Sequence, residues 1–238
     1  MSYTALYRKF RPDIFEDVKG QEHIVTTLRN QIKADRIGHA YLFNGGRGTG
    51  KTSSAKILAR AINCLNPKDG EPCNECEACK SILDGNSPDV IEMDAASNNS
   101  VEDIRSIRDE VNFLPTKAKY RIYIIDEVHM LTTQAFNALL KTLEEPTDNT
   151  VFLLITSQVQ NLPVTILSRC QQISFNLLSP SMIQDILQKL HPERQSQIGL
   201  VTALAKGSVS TAENLLANEE IAEARQDFYN LLIRLAQS

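Results

Sequence analysis

The chain has 238 residues, 42% of them hydrophobic and 23% charged, a globular composition that can supply one large core or two modest ones. Its formal net charge of -4 excludes a surface coated in basic residues, so any nucleic-acid contact must come from a local patch or from oriented backbone amides. No apolar run is long enough to cross a bilayer and the opening MSYTALYRKFRP lacks the apolar stretch of a signal peptide, so a cytoplasmic location with no membrane partner is expected.

The first residues are basic and aromatic (Tyr7, Arg8, Lys9, Phe10, Arg11, Pro12). An amphipathic segment follows, then the apolar run Ala40-Tyr41-Leu42-Phe43, which predicts a buried strand. A glycine-rich loop comes next, and from Ser53 the sequence turns helical through Ala55, Leu58, Ala59 and Ile62. Strand, loop and helix in that order are what a phosphate loop requires. Gly45-Gly46-Arg47-Gly48-Thr49-Gly50-Lys51-Thr52 matches G-x-x-x-x-G-K-[ST] in that context, with Ser53 next to it in the expected nucleotide-binding set. The glycines let backbone amides close around phosphates and the helix N-terminus adds positive potential. Lys51 is expected to reach the β and γ phosphates, and the Thr52 hydroxyl to hold Mg²⁺, with ATP as the nucleotide.

Five cysteines in a reducing compartment are poor candidates for disulfides, and four of them cluster as Cys64-x8-Cys73-x2-Cys76-x2-Cys79. The polar insertion that carries them has Pro67, Gly70 and Pro72 and no apolar periodicity, so it needs something other than a core to hold it. Four soft ligands suit one tetrahedral zinc with no open position, which makes the site structural; an iron-sulfur cluster remains open because thiolates serve both. Cys170 stands apart and reads as a small, partly buried residue.

Asp89 to Asp94 predicts a short strand, and Ser100 with Asp103 three residues later predicts a helix start, with Ile104, Ile107 and Val111 on one face. Arg121 to Ile125 predicts a buried strand ending in Asp126-Glu127. Phe136, Leu139, Leu140 and Leu143 repeat at helical spacing until Pro146, and Val151 to Ile155 predicts another buried strand. This alternation implies an α/β fold with a parallel sheet covered on both faces and its chemistry at the carboxyl ends of the strands. Alone, Asp126-Glu127 reads equally as an acidic helix N-terminus. Beside a phosphate loop it fits a Walker B pair, with Asp126 binding Mg²⁺ directly or through water and Glu127 polarising the attacking water. Arg169, in Ser168-Arg169-Cys170, is placed to reach a phosphate, although a lone surface arginine is usually solvated. His129 completes an Asp-Glu-Val-His string; a helix-face histidine is the simpler reading, and the sequence assigns no role to His23, His39 or His191. Everything after Phe175 is helical, which predicts domains at 1–176 (with the cysteine module at 64–79) and 177–217, and a last helix at 218–238.

SYTALYRKFRP, the GQEH at Gly20 to His23, HAYLF, the four cysteines, DEVHML, LLKTLEEP and LSRC together resemble the gamma/tau subunits of the bacterial DNA polymerase III clamp loader, over nearly all of residues 1–175. The resemblance implies an AAA+ P-loop NTPase with a four-cysteine zinc module and a small C-terminal helical lid. The implied activity is ATP hydrolysis that opens a ring-shaped sliding clamp and places it on primed DNA during replication, alongside other clamp-loader subunits. It makes Arg169 the arginine finger for a neighbour's ATP and puts Ser157 at the sensor 1 position, where the family usually has Thr or Asn. It also makes Tyr7, Arg11, Pro12 and Val18 the wall of the adenine pocket. One departure concerns the lid. Where gamma/tau subunits carry a sensor 2 arginine in a Gly-Ser-x-Arg-Asp-Ala pattern, this chain reads Gly207-Ser208-Val209-Ser210-Thr211-Ala212. That lid is more similar to the delta-prime subunit, which donates a finger and binds nucleotide without efficient hydrolysis, so that alternative stays open. The family's collar domain is expected to be absent or represented only by the last helix, as in a fragment or a short member. A helicase of the Asp-Glu-x-His type would need a second RecA-like domain, for which 238 residues leave no room.

Overall fold

A computed structural model describes residues 12–217; Tyr7, Arg11 and the expected helix at 218–238 lie outside the described residues. Within them, residues 12–45 and Gly50–Asn176 form one compact unit, and Gly46–Thr49 with residues 177–217 form another.

The larger unit opens with a 3-10 turn at Phe15–Asp17 and helix α1 (Glu22–Lys33). Then come β1 (Ala40–Gly45), α2 (Lys51–Asn63), α3 (Glu77–Leu83), β2 (Val90–Asp94) and α4 (Val101–Glu110). β3 (Arg121–Asp126), α5 (Thr133–Glu144), β4 (Thr150–Thr156), α6 (Val164–Leu167) and β5 (Gln171–Phe175) complete it. The strands pair in the order β2-β3-β4-β1-β5, every pair parallel, which is the α/β sheet expected from the alternation of elements.

Helices on both faces explain why the inner strands read as continuous apolar runs. All seven positions of β4 are buried. Successive side chains point to opposite faces and feed two separate cores. Leu42, Tyr123, Ile125, Phe152 and Leu154 pack with residues of α4, α5 and α6, such as Ile104, Leu139 and Ile166. Tyr41, Phe43, Ile122, Ile124, Val151 and Leu153 pack with residues of α1 and α2, such as Leu28 and Leu58. At about 2 kcal/mol for each large apolar side chain removed from water, these two layers dominate the stability of the unit. The edge strands are different: β5 buries only Ile173 and Phe175, and the apolar signal from that QQISF segment was too weak to predict it as a strand.

Helix starts follow local chemistry. Ser100 and Asp103 form the reciprocal capping box at α4, with Ser100 Oγ accepting from Asp103 N (3.2 Å) and Asp103 Oδ2 accepting from Ser100 N (3.0 Å). α2 begins at Lys51, two residues earlier than the apolar periodicity indicates, because Gly50 caps it in the left-handed region (φ 97). The cysteine-bearing insertion is not wholly irregular either, since α3 starts inside it at Glu77 and buries Cys79 and Ile82.

In the second unit, α7 (Pro180–Leu190), α8 (Gln195–Leu204) and α9 (Val209–Ala217) enclose Ile183, Leu187, Ile198, Val201 and Ala212. Ser179 caps α7, its Oγ accepting from Met182 N at 3.3 Å. These helices are the small C-terminal lid of the expected fold, and Ser210 lies on α9.

Asp89, immediately before β2, is fully buried and accepts three backbone N–H bonds, from Thr116 (2.7 Å), Lys117 (2.8 Å) and Ala118 (3.0 Å), with Arg121 Nη2 3.8 Å away. Burial pushes its carboxyl up, but the three amides and Arg121 outweigh that effect and hold it below the ordinary aspartate value. Asp89→Ala is expected to cost about 3 kcal/mol in urea denaturation, because three buried amides lose their acceptor. The folded value lies below the unfolded value of about 4, so this contribution is complete above about pH 4 and is lost as pH falls through the folded value. The stability gap between wild type and Asp89→Ala is therefore expected to shrink in acid.

Candidate nucleotide and metal sites

The strand order brings the carboxyl ends of β1, β4 and β3 side by side, and Gly45, Lys51, Thr52, Asp126, Glu127 and Ser157 lie there. Gly45 ends β1 pressed against β5. A Cβ at this position would lie 2.5 Å from the Phe175 carbonyl oxygen, so only glycine fits. Lys51 is buried on the first turn of α2, and its Nζ donates to Gly45 O at 2.9 Å. Next to it Thr52 Oγ1 donates to Asp126 Oδ2 at 2.9 Å, linking the start of α2 to the end of β3. The other Asp126 oxygen accepts from Glu127 N at 2.8 Å. Ser53 is half-buried on the same turn, where among the described residues there is no acidic residue and no side-chain cap to offset the positive end of the helix dipole. In the intervening segment Gly48 has φ 73, Arg47 is exposed, and Thr49 Oγ1 donates to Gly46 O at 2.9 Å.

Glu127 follows in a left-handed backbone conformation (φ 47), and its Oε2 accepts from Ser157 Oγ at 3.0 Å, just past the end of β4. Val18 is buried, with Cγ1 3.7 Å from where a Cβ on Gly50 would sit, and Pro12 is half-buried.

A second cluster forms beyond the other end of α2. The Sγ atoms of Cys64, Cys73, Cys76 and Cys79 all lie within 4.8 Å of one another, while tetrahedral coordination with bonds of about 2.3 Å needs separations of about 3.8 Å. The four-sulfur donor set therefore fits a metal after small shifts. Cys73 N–H donates to Cys64 Sγ and Cys76 N–H to Cys73 Sγ, both at 3.3 Å, which favours thiolates. The backbone amides of Glu75 and then Cys76 lower the Cys73 thiol to about 6. Burial is the main cause that raises Cys64 and Cys79. The module is fixed to the body through Glu71, whose carboxylate accepts from Phe15 N (2.7 Å) and Glu16 N (3.1 Å), and through Asn74 Nδ2, which donates to Asp13 O at 3.1 Å.

A family model described as DNA polymerase III, delta subunit, matches residues 20–179, more than half of the chain. The chain belongs to that DNA polymerase III family. It is 52% identical over 221 residues to DNA polymerase III subunit tau of Bacillus subtilis, covering 91% of this chain and 39% of the relative. It is 46% identical over 222 residues to the tau subunit of Escherichia coli, covering 90% and 34%. Among solved structures, a gamma subunit-related protein of DNA polymerase III from Thermotoga maritima superposes with a TM-score of 0.51 at 25% identity, covering 79% of this chain and 56% of that one. The resemblance to gamma/tau subunits read from the motifs is met by these relatives. The chain spans about two fifths of the length of the Bacillus subtilis relative.

Of the residues that the family resemblance singles out, Arg169 stands apart from the β1–β4–β3 edge. Its Nη2 lies 2.6 Å from Glu144 Oε1 at the end of α5, and its Nη1 donates to Thr165 O at 3.0 Å. Cys170 is buried in the α4–α6 core, where burial pushes its thiol up to about 12. His129 is the residue that sequence reasoning undervalued. Its side chain is only 4% exposed, and Nδ1 lies 3.0 Å from Thr156 Oγ1 and 3.4 Å from Glu127 Oε2. Its place in the Asp126-Glu127-Val128-His129 string was the available signal. Among the described residues no helix is long and apolar enough to cross a membrane.

Metal binding at the cysteine cluster must displace protons from Cys64 and Cys79, whose raised values make them weak thiolates on their own. Elemental analysis is expected to find one metal ion per chain and none in Cys79→Ser. Competition with a chromophoric chelator is expected to show affinity falling steeply from pH 8 to pH 6.

Proposed function

We propose that this chain is the ATP-hydrolysing portion of a gamma/tau-type clamp-loader subunit. In this reading it uses ATP to open a ring-shaped sliding clamp and place it on primed DNA during replication, within the DNA polymerase III holoenzyme and together with other clamp-loader subunits in the cytoplasm. The observation that supports this best is the Thr52–Asp126 hydrogen bond, which brings together the hydroxyl and the carboxylate that phosphate-loop NTPases use for the cation.

The roles follow from the chemistry of each group. Gly45 to Thr52 and the Ser53 amide cradle the triphosphate, and Lys51 exchanges its Gly45 carbonyl for the β and γ phosphates. Thr52 and Asp126 would hold Mg²⁺, which when bound neutralises phosphate charge. Glu127 orients and polarises the attacking water, and Ser157 reads the γ phosphate through its hydroxyl. Tyr7, Arg11, Pro12 and Val18 wall the adenine. Arg169 leaves Glu144 to reach a neighbouring subunit's ATP, so turnover belongs to the assembly. Zinc is the metal of the four cysteines, structural because no coordination position is left for substrate. Domains at 1–176 and 177–217 and a last helix at 218–238 complete the proposal.

Ser210 supports a second reading. With no arginine at the sensor 2 position, the lid would lack a charge-assisted contact to the γ phosphate, as in a delta-prime-like subunit that binds nucleotide and donates Arg169 without hydrolysing efficiently. ATP turnover of the assembled complex with clamp and primed DNA separates the two. Glu127→Gln is expected to reduce it by about 100-fold with nucleotide affinity retained. Unchanged turnover in that variant would move the chain to the second reading. Arg169→Ala is expected to leave nucleotide binding intact and lower turnover of the complex by about 1000-fold or more at the site it serves. Lost nucleotide binding would instead assign Arg169 a role within its own subunit.

A further inference from the structure

The turn at Phe15–Asp17 has no cap of its own. Ile14 stands at its start and offers no side-chain acceptor, so the first amides of the turn must find one elsewhere. Both go to Glu71, one to each carboxylate oxygen: Phe15 N to Oε2 at 2.7 Å and Glu16 N to Oε1 at 3.1 Å. A carboxylate from the cysteine-bearing insertion thus does for this turn what a capping residue does for a helix. The carbonyl ahead of the turn is held as well. Asp13 O accepts from Asn74 Nδ2 at 3.1 Å and from Arg60 Nη2 at 2.7 Å. Val18, directly after the turn, is buried against Gly50 at the start of α2.

Glu71 is itself aimed. Lys68 and Glu71 exchange backbone hydrogen bonds across a tight turn in which Asp69 (φ 56) and Gly70 (φ 80) are both left-handed. Gly70 is pressed onto α1, where a Cβ would lie 2.7 Å from Arg29 O, and Arg29 Nε donates to Asp69 O at 2.9 Å. On the other side, Glu71 and Asn74 flank Cys73, a member of the cysteine cluster. Between Cys64 and Cys73 only Gly70 and Pro72 are buried, so this loop has almost no core to hold it. A metal joining the sulfurs of Cys64 and Cys73 closes the loop that carries Glu71 and restricts it in place of a core.

We propose that the cysteine module is a clasp for residues 13–18, that Glu71 is its positioning residue, and that metal occupancy at the four cysteines thereby sets the affinity for the base of a bound nucleotide. The phosphates are held from α2 and the loop before it, so the clasp acts on the nucleoside half alone. The proposal rests on the reading of Pro12 and Val18 as part of the adenine wall.

Calorimetric titration of the full, metal-loaded chain with Mg-ATP and with magnesium tripolyphosphate, which has the phosphates without the nucleoside, tests it. Wild type is expected to bind ATP the more tightly. In Glu71→Ala the Kd for ATP is expected to rise about tenfold, the order for losing a hydrogen-bonded charge, with the Kd for tripolyphosphate changed by less than about twofold. Glu71→Gln keeps one acceptor oxygen and is expected to lie between. Removing the metal from wild type with a chelator is expected to repeat the Glu71→Ala pattern, and to add little to it in Glu71→Ala, since both act through one contact. Unchanged ATP affinity in metal-loaded Glu71→Ala would overturn the proposal, and this variant keeps all four cysteines, so the test does not depend on the metal-free chain staying folded. Equal weakening of ATP and tripolyphosphate would overturn it too. So would a metal effect that adds in full to that of Glu71→Ala. A wild type that binds ATP no more tightly than tripolyphosphate would remove the adenine wall and the clasp's effect together, whereas a wild-type preference that survives Glu71→Ala would remove the clasp alone.

Discussion

Strand β4 separates β1 from β3, and because all three run the same way their carboxyl ends emerge at a single edge. Gly45 closes β1, Asp126 closes β3, and Ser157 follows β4 between them. The remaining contacts at this edge depend on that order. Thr52 reaches Asp126 because α2 starts directly above β1. Ser157 reaches Glu127 because β4 and β3 are neighbours in register, with Leu154 opposite Ile125. A different strand order with the same sequence motifs would separate the hydroxyl from the carboxylates it touches.

Helix α2 serves both clusters. Its first turn carries Lys51 and Thr52, and its last turn leads into Cys64, so one rigid element spans from the phosphate loop to the cysteine module. Arg60 near its end is buried, with Nη2 donating to Asp13 O at 2.7 Å, and burial lowers its pKa. Glu71 and Asn74 bind backbone atoms of the same Asp13–Glu16 stretch. The cysteine module is thus fastened to the segment that leads to Val18, and Val18 in turn abuts Gly50. An insertion with little apolar content of its own is held through charged acceptors and a donor set for metal in place of a core.

Much of this was legible from residue order. The runs at Ala40–Phe43, Ile122–Ile125 and Val151–Ile155 belong to inner strands with both faces covered, so each of their positions is apolar and the signal is strong. The phosphate loop and the Ser100–Asp103 box are local devices that need only a few consecutive residues. What stayed hidden depends on distant partners. β5 is an edge strand with two buried side chains, and α3 is a seven-residue helix in a polar insertion. Asp89 reads as the start of a strand, yet its side chain serves a turn 27 residues away. His129 reads as an outward helix residue, because nothing near it in sequence indicates that Thr156 and Glu127 enclose it.

The position of β1 bears on how the chain comes to be folded as it is synthesised. It is the first strand to be made, but its two neighbours, β4 and β5, are the last two. Tyr41 must wait for Leu153 on one side and Gln171 on the other before its backbone is paired. A hairpin-like nucleus from the N-terminal portion is therefore unavailable, and the phosphate loop cannot be shaped until nearly the whole larger unit has emerged. Such long-range closure makes folding slow relative to chains with local contacts, and leaves the apolar β1 segment exposed in the meantime.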